Sequence, residues 1–179
     1  RWVITFVSLN QHACELFRRH GFQISKLGEE PIVKLNETAW KGKDYEWLRR
    51  QENYCQRQEI AFREVDPEAE GDDFLDRIVP ELLAISRDRV AETVHRCEMR
   101  FFVGQFEPLA LGRRRLFIAE TAQRIEAFVV LNPCLTGGMW AIEIFLRRRD
   151  AVRGVLPYAM LQAMRHLQAI AHAEQADAD

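Results

Sequence analysis

The sequence has few cysteines, no excess of either charge and no long apolar run. Its cysteines form no Cys-x-x-Cys pair and no Cys/His spacing typical of zinc, so we predict no metal site. They are widely spaced, which favours free cytosolic thiols over the disulfide framework of a small secreted domain. Lys and Arg number 25 and Asp and Glu 27, a formal net charge of -2, so any nucleic-acid contact must be a local patch. No segment approaches the roughly 18 apolar residues of a membrane-spanning helix.

The composition is that of a folded domain, because 47% of the 179 residues are hydrophobic and 29% are charged. The chain begins at Arg1 rather than methionine and has no cleavable signal pattern, so we expect an internal fragment of a longer protein. We predict three parts: residues 1–36 as the end of a first unit, residues 37–172 as a second and fuller unit, and residues 173–179 as a frayed tail.

The first unit is predicted to run strand, helix, strand, strand. Residues 2–8 are rich in β-branched and aromatic side chains, and Asn10 is a suitable N-cap for a helix over residues 11–20. Gly21 is placed to end that helix. Two extended runs, residues 22–26 and 31–35, follow on either side of a turn.

The second unit begins with a predicted helix over residues 40–58, in which basic and aromatic residues alternate. Residues 60–65 are a predicted strand, and the acidic residues 66–73 are a predicted linker. A helix follows, and Pro80 indicates that it is kinked or begins late. Its expected core residues share helical spacing: Leu75, Ile78, Val79, Leu82 and Leu83.

Three apolar runs, residues 115–121, 126–131 and 139–146, predict an antiparallel meander. Side chains alternate across a strand, so in the third run we expect one face of Trp140, Ile142, Ile144 and Leu146 and an opposite face of Ala141, Glu143, Phe145 and Arg147. A helix with an apolar stripe then closes the unit, with Pro157 in its first turn. The element order predicts an α/β fold with a mixed sheet and helices on both faces.

An arginine-rich loop joins the third meander strand to this last helix. A helix start offers unpaired N–H groups and a positive dipole to an anion, and guanidinium groups add charge-assisted contacts. We therefore predict a phosphate site or, alternatively, a solvated charged loop. The candidate residues are Arg147, Arg148, Arg149, Arg153 and Gly154.

This strand, loop and helix layout is similar to that of the acyl-CoA N-acyltransferases of the acetyltransferase superfamily. Their loop reads Gln/Arg-x-x-Gly-x-Gly/Ala, whereas Ala151 stands three positions before Gly154 and Leu156 two positions after it. These residues disfavour acetyl-CoA as a cofactor.

Four further segments carry a closer resemblance. They are Gly21-Phe22 with residues 26–33, Gly42-Lys43 with Leu48-Arg49 and Asn53, Gly104-Gln105-Phe106, and the Arg147-Arg148-x-Asp150-Ala151-x-x-Gly154 loop. Together they resemble the C-terminal catalytic domain of the bacterial aminoacyl-phosphatidylglycerol synthases (phosphatidylglycerol lysyltransferases) and their soluble relatives.

The resemblance implies a tandem acetyltransferase-like (GNAT-like) fold whose first unit is incomplete in this chain. It implies transfer of an aminoacyl group from aminoacyl-tRNA to a phospholipid, in the cytoplasm or at the inner face of the membrane. By the same resemblance, Lys41, Lys43, Arg49 and Arg50 are candidate contacts for RNA or a lipid headgroup.

Two residues are candidates for proton transfer. Glu143 is a candidate general base or acceptor-orienting group, or a half-exposed strand glutamate paired with Arg147 or Arg124. Tyr158 is a candidate general acid, or a tyrosine that packs against the sheet. The predicted function is acyl or aminoacyl transfer to a lipid or small-molecule acceptor. The alternatives are a degenerate, non-catalytic domain that binds a phosphate-bearing ligand or a protein, and an acyl-CoA-dependent N-acyltransferase.

Overall fold

The computed structural model describes residues 4, 6, 9–26, 28–92, 106–134 and 138–176. The chain divides into two compact units, residues 1–33 and residues 34–179. The assignment of the first part to the end of an acetyltransferase-like unit stays a prediction. The Gly104-Gln105 pair lies outside the described residues.

The first unit contains helix α1, Gln11–Arg19. The Asn10 side chain accepts a hydrogen bond from the Ala13 N–H at 2.8 Å, which confirms the predicted N-cap. Gly21 follows the helix with φ of +81°, a conformation that suits glycine at a helix end. The predicted strands at residues 22–26 and 31–35 are wrong, since the described residues there form no strand. The strand predicted over residues 2–8 lies largely outside the described residues.

The second unit holds the remaining helices and all the described strands. In chain order they are a 3-10 helix at Leu35–Glu37, α2 at Glu46–Arg57, β1 at Ala61–Val65, α3 at Pro67–Glu70, a π-helical turn at Phe74–Ile78, α4 at Val79–Glu92, β2 at Arg115–Glu120, β3 at Ile125–Pro133, β4 at Trp140–Arg147 and α5 at Val155–Ala176.

The four strands form one sheet in the order β1-β2-β3-β4. Neighbouring strands are antiparallel, with Val65 opposite Leu116 and Val130 opposite Ile144. The predicted meander is therefore confirmed. Every described pair is antiparallel, so the parallel pair that a mixed sheet requires is not among the described residues. The short links from β2 to β3 and from β3 to β4 favour antiparallel pairing, because a parallel pair needs a long crossover.

Each face of the sheet is covered by helix, as predicted. On one face, Ile78, Leu82 and Ile85 of the π-turn and α4 pack on Phe128 and other strand residues. On the opposite face, α2 and α5 contribute Cys55 and Ala159, which pack with the fully buried Phe117. This second face positions α2 beside the start of α5.

A β-bulge in β4 breaks the predicted alternation. Val130 pairs with Ile144 and the next residue, Leu131, pairs with Ile142, so Glu143 has no partner across the strands. Ile144 accordingly packs in the α4 core, whereas Ile142 packs in the core under α5. The prediction that Trp140, Ile142, Ile144 and Leu146 share one face is wrong for this reason.

Other boundaries also differ from the predictions. The helix predicted from residue 40 begins at Glu46, and Trp40 has φ of +55°, which no α-helix accommodates. The predicted linker over residues 66–73 contains α3, whose start is capped by the Asp66 side chain. Pro80 lies in the first turn of α4, so the late start that it indicated is confirmed. Leu75 and Leu83, predicted as core, are 55% and 37% exposed.

Candidate anion-binding site

A cavity of about 400 Å³ lies between α2 and the loop that precedes α5. We call it the arginine cavity; its lining residues are Arg50, Gln51, Asn53, Tyr54, Arg57 and Arg153. Three guanidinium groups and no carboxylate line it. Such a surface attracts anions, and planar guanidinium groups suit the oxygens of a phosphate.

The close approach of the loop to α2 depends on Gly154. This glycine has φ of +80°, and a Cβ added to it would fall 2.2 Å from Oε1 of Gln51. A side chain at this position would have to displace the end of the Gln51 side chain and would also adopt a left-handed backbone conformation that favours glycine. Beneath the contact, the Cys55 Sγ lies 4.0 Å from the Arg153 carbonyl oxygen. Burial raises the pKa of Cys55 to about 11, so this thiol is neutral at ordinary pH.

Arg148 is directed inward, away from any ligand. Its Nε donates to the Ile125 carbonyl at 2.6 Å, and its Nη2 donates to Glu81 at 2.8 Å. The Arg148 side chain is only 16% exposed. Arg147 is also bonded to its own loop, since its Nη1 donates to the carbonyls of Arg148 and Arg149 at 2.8 and 3.0 Å. These two arginines hold the loop in shape.

Glu126 is the one buried charged residue of the described core, at 2% exposure. One of its carboxylate oxygens accepts from Arg124 Nε at 2.7 Å, and the other accepts from the Val152 N–H at 3.1 Å. Arg124 also donates to Asp150 at 3.0 Å, and this hydrogen bond lowers the pKa of Asp150. An internal carboxylate thus occupies a loop N–H close to the helix start, where an external anion would otherwise bind.

The predicted phosphate residues therefore separate into two groups. Arg153 lines the arginine cavity and Gly154 adjoins it, whereas Arg147 and Arg148 serve the loop. Arg149 is exposed and does not line the cavity.

The predicted RNA or headgroup residues separate in the same way. Arg50 lines the arginine cavity and pairs with Glu46 at 2.5 Å. Arg49 donates to the Gly42 carbonyl at 2.8 Å and so stabilises the turn before α2. Lys41 and Lys43 are exposed outside the cavity lining.

The two proton-transfer candidates lie outside the cavity lining. Oε2 of Glu143 lies 3.7 Å from Nη1 of Arg114 and has no hydrogen-bond partner among the described residues. The alternative pairing with Arg147 or Arg124 is wrong, because Arg114 is the neighbouring cation. The Tyr158 hydroxyl donates to the Ile60 carbonyl at 3.3 Å, the side chain is 6% exposed, and burial raises its pKa.

The sequence placed Tyr54 and Arg57 in the basic, aromatic stretch that ends at Arg57 but did not single them out as site residues, and it assigned Gln51 and Asn53 no binding role. The available signal was their place on α2, where Arg50, Tyr54 and Arg57 are spaced to share a helix face. Arg57 and Arg153 have no ion-pair or hydrogen-bond partner in the described part of the chain. Their charges are therefore open to a ligand.

The described residues form neither a metal centre nor a membrane-spanning helix. Within the described ranges, no group of three or more His, Cys, Asp or Glu side chains is arranged to hold a metal ion. No helix in those ranges has the length and apolar character needed to cross a membrane.

The antiparallel meander, the arginine loop and the long final helix together form an acyltransferase-like fold. Two solved structures share it. One is L-PGS from Bacillus licheniformis, with a TM-score of 0.72 and 22% identity over 89% of this chain and 48% of that chain. The other is the C-terminal domain (DUF2156) assigned to a lysylphosphatidylglycerol synthetase from Agrobacterium fabrum, with a TM-score of 0.62 and 25% identity over 77% of this chain and 42% of that chain.

The chain belongs to the family described as phosphatidylglycerol lysyltransferase, C-terminal, whose profile matches residues 1–172. It is 27% identical over 86% of its length to a phosphatidylglycerol lysyltransferase of Bacillus subtilis (strain 168), and 26% identical over 82% to one of Staphylococcus xylosus. The matched part spans 17% of each of these relatives.

Proposed function

We propose that this chain takes part in the transfer of an aminoacyl group from aminoacyl-tRNA to a phospholipid, in the cytoplasm at the inner face of the membrane. Family membership supports the reaction class, and one observation supports the site. Arg57 and Arg153 face an arginine cavity without partners among the described residues. Both substrates carry phosphodiesters, so the cavity has the charge and shape to anchor one of them.

The reaction exchanges one ester for another. A lipid hydroxyl oxygen attacks the aminoacyl carbonyl carbon, the bond from that carbon to the RNA ribose oxygen breaks, and the ribose oxygen takes up the proton that the lipid hydroxyl loses. No covalent intermediate with the protein is needed, so the protein acts by positioning and electrostatics. Glu143 is our candidate for orienting the attacking hydroxyl, because its Oε2 has no hydrogen-bond partner among the described residues.

The test is a transfer assay with phosphatidylglycerol vesicles and a set of tRNAs charged with radiolabelled amino acids. We expect labelled lipid with at least one of them. Loss of two charge-assisted contacts in an Arg57→Gln/Arg153→Gln double variant should lower kcat/KM by roughly a hundredfold, at about 1.5 kcal/mol or more for each contact. The matched control is Arg89→Gln/Arg113→Gln, which removes two exposed charges outside the cavity lining. Absence of labelled lipid with every donor contradicts the proposal, and so does an equal loss in the control.

A second candidate function is a non-catalytic domain that binds a phosphate-bearing ligand. The buried Tyr158 hydroxyl favours it, because a group that donates to the Ile60 carbonyl is not available as a general acid in this conformation. This alternative predicts a raised melting temperature with glycerol phosphate, lost in the Arg57→Gln/Arg153→Gln variant, without any labelled lipid.

We also propose that coenzyme A is not the donor. Glu126 places a carboxylate on the Val152 N–H at the loop, and a pyrophosphate at this position would meet both a filled donor and a like charge. A melting temperature that rises with coenzyme A and falls back in Arg153→Gln would contradict this view.

A further inference from the structure

The exposed side of α2 presents two aromatic and two basic side chains in alternation. Trp47, Arg50, Tyr54 and Arg57 are spaced three, four and three residues apart, so at 100° per residue they lie within an arc of about 80°. We call this face the aromatic-arginine stripe. Trp47 is 58% exposed and Tyr54 is 38% exposed. Aromatic side chains usually bury most of their large apolar area, so two exposed rings on one helix face are available to a ligand.

At the C-terminal end of the stripe, no carboxylate of the described residues pairs with the arginine. Glu52, on the side of α2 that meets α5, accepts from Gln162 at 2.7 Å and pairs with Arg165. Glu46 pairs with Arg50 at the first turn. Arg57 has no partner in the described part of the chain, and Arg153 extends the charge across the arginine cavity.

Alternating aromatic rings and arginines are the two components of single-stranded nucleic-acid surfaces, since bases stack on rings while guanidinium groups bind the backbone phosphates. From Trp47 to Tyr54 the helix rises about 10.5 Å, at 1.5 Å per residue. That distance is the length of about three stacked nucleotides at 3.4 Å each. The stripe therefore fits a short unpaired strand.

A membrane surface fits the same residues less well. A helix that lies in a bilayer interface carries a broad apolar face with leucine or phenylalanine beside its aromatic rings. On α2 the remaining apolar residues are turned inward, since Cys55 is buried and Leu48 half-buried. A concave cavity lined by arginine also suits a single phosphate better than a flat array of headgroups.

We propose that the aromatic-arginine stripe and Arg153 bind the unpaired 3′ end of the RNA donor, with bases stacked on Trp47 and Tyr54 and phosphates on Arg57 and Arg153. This inference rests on the proposed function and assigns the donor to this surface. Unpaired RNA is bound through stacking as well as charge, so the two kinds of residue should contribute in measurably different ways.

The test measures binding of the whole chain to a fluorescein-labelled single-stranded RNA of about twelve nucleotides by anisotropy, over a series of salt concentrations. Tyr54→Ala and Trp47→Ala should each weaken binding roughly five- to a hundredfold without changing the salt dependence, because stacking involves no counterion release. Tyr54→Phe should keep most of the affinity. Arg57→Gln and Arg153→Gln should each lower the slope of log K against log salt by about 0.7.

Arg89→Gln is the matched control and should change neither affinity nor slope. Equal loss in this control, tighter binding of duplex RNA than of the single strand, or preferential binding to phosphatidylglycerol vesicles that depends on Trp47 and Tyr54 would each overturn the inference. Circular dichroism of each variant distinguishes loss of the binding surface from loss of the fold. Tyr54→Phe keeps the aromatic ring, so it tests stacking without the truncation that Tyr54→Ala introduces.

The transfer assay separates this inference from the proposed function. If labelled lipid forms but Tyr54→Ala leaves RNA binding and transfer unchanged, the stripe is not the donor site and the function stands. If the stripe binds single-stranded RNA as described and no lipid is labelled with any donor, the function is wrong and the RNA surface stands.

Discussion

Two arginine-rich regions of this protein adjoin at the loop before α5 and differ in what their charges do. In residues 147–150, the guanidinium groups of Arg147 and Arg148 are bonded to backbone carbonyls and to Glu81, so these two charges are neutralised or bonded within the fold. In the arginine cavity, Arg57 and Arg153 have no partner in the described part of the chain. A cluster of arginines in a sequence therefore indicates a ligand site only where those arginines are not already bonded to carboxylates and carbonyls of the protein itself.

The largest expected effect separates Arg148 from Arg153. Arg148→Ala removes the nearest cation of the half-buried Glu81 carboxylate and a donor to the Ile125 carbonyl, so we expect a loss of about 2–4 kcal/mol in the free energy of unfolding. Arg153→Ala should cost less than about 0.5 kcal/mol, since its side chain is exposed and unbonded. Urea denaturation measures both values. Equal destabilisation would remove the distinction between the two regions.

An intermediate effect is expected at the glycine between them. Gly154→Ala forces a side chain into a left-handed conformation and against Gln51, so we expect a loss of about 1–3 kcal/mol and a weaker affinity for phosphate-bearing ligands. The double variant Gly154→Ala/Gln51→Ala should recover the stability lost to the contact with Gln51 and keep the loss due to the left-handed backbone conformation. Thermal unfolding of the single and double variants, followed by circular dichroism, measures this; full recovery in the double variant would show that the backbone conformation contributes nothing.

The smallest effect is confined to alkaline pH and concerns the buried Cys55 thiol beneath the contact between Gly154 and α2. The pKa of Cys55 is raised by burial from 9.0 to about 11, so the folded state retains a proton that the unfolded chain releases. The stabilisation is complete below pH 9 and is lost as the pH rises through 11. The free energy of unfolding, measured between pH 8 and pH 11, should decline with pH, and the decline should be smaller in Cys55→Ala. An identical decline in that variant would assign the effect to another group, for instance Tyr158, whose pKa is also raised.

The sequence predicted those parts of the fold that depend on local patterns. The cap at Asn10, the helix end at Gly21 and the three meander strands follow from side-chain type and spacing alone. The strands expected at residues 22–26 and 31–35 did not form, because short extended runs need a neighbouring strand to pair with. The helix over 40–58 was set too early, since nothing in its spacing shows that Trp40 takes a positive φ.

The candidate site was predictable in part. Arg153, Gly154 and Arg50 were identified from their residue type and place, and they lie at or beside the arginine cavity. The inward direction of Arg148 was not predictable, because Glu81 is 67 residues away in sequence and meets it only in the folded chain. Arg57 was noted only as the end of a basic stretch, and its place beside Arg153 was not predicted, because the site combines a helix face with a loop that follows it by almost a hundred residues.

The bulge at Glu143 constrains the number of residues in β4 rather than their type. One extra residue in β4 lets a single strand supply Ile144 to one core and Ile142 to the other. Deleting that residue would restore regular alternation and turn every side chain on one side of the deletion to the opposite layer. Within this family, an alignment that places a gap elsewhere in β4 would therefore assign positions on this strand to the wrong face, even where the residues themselves agree.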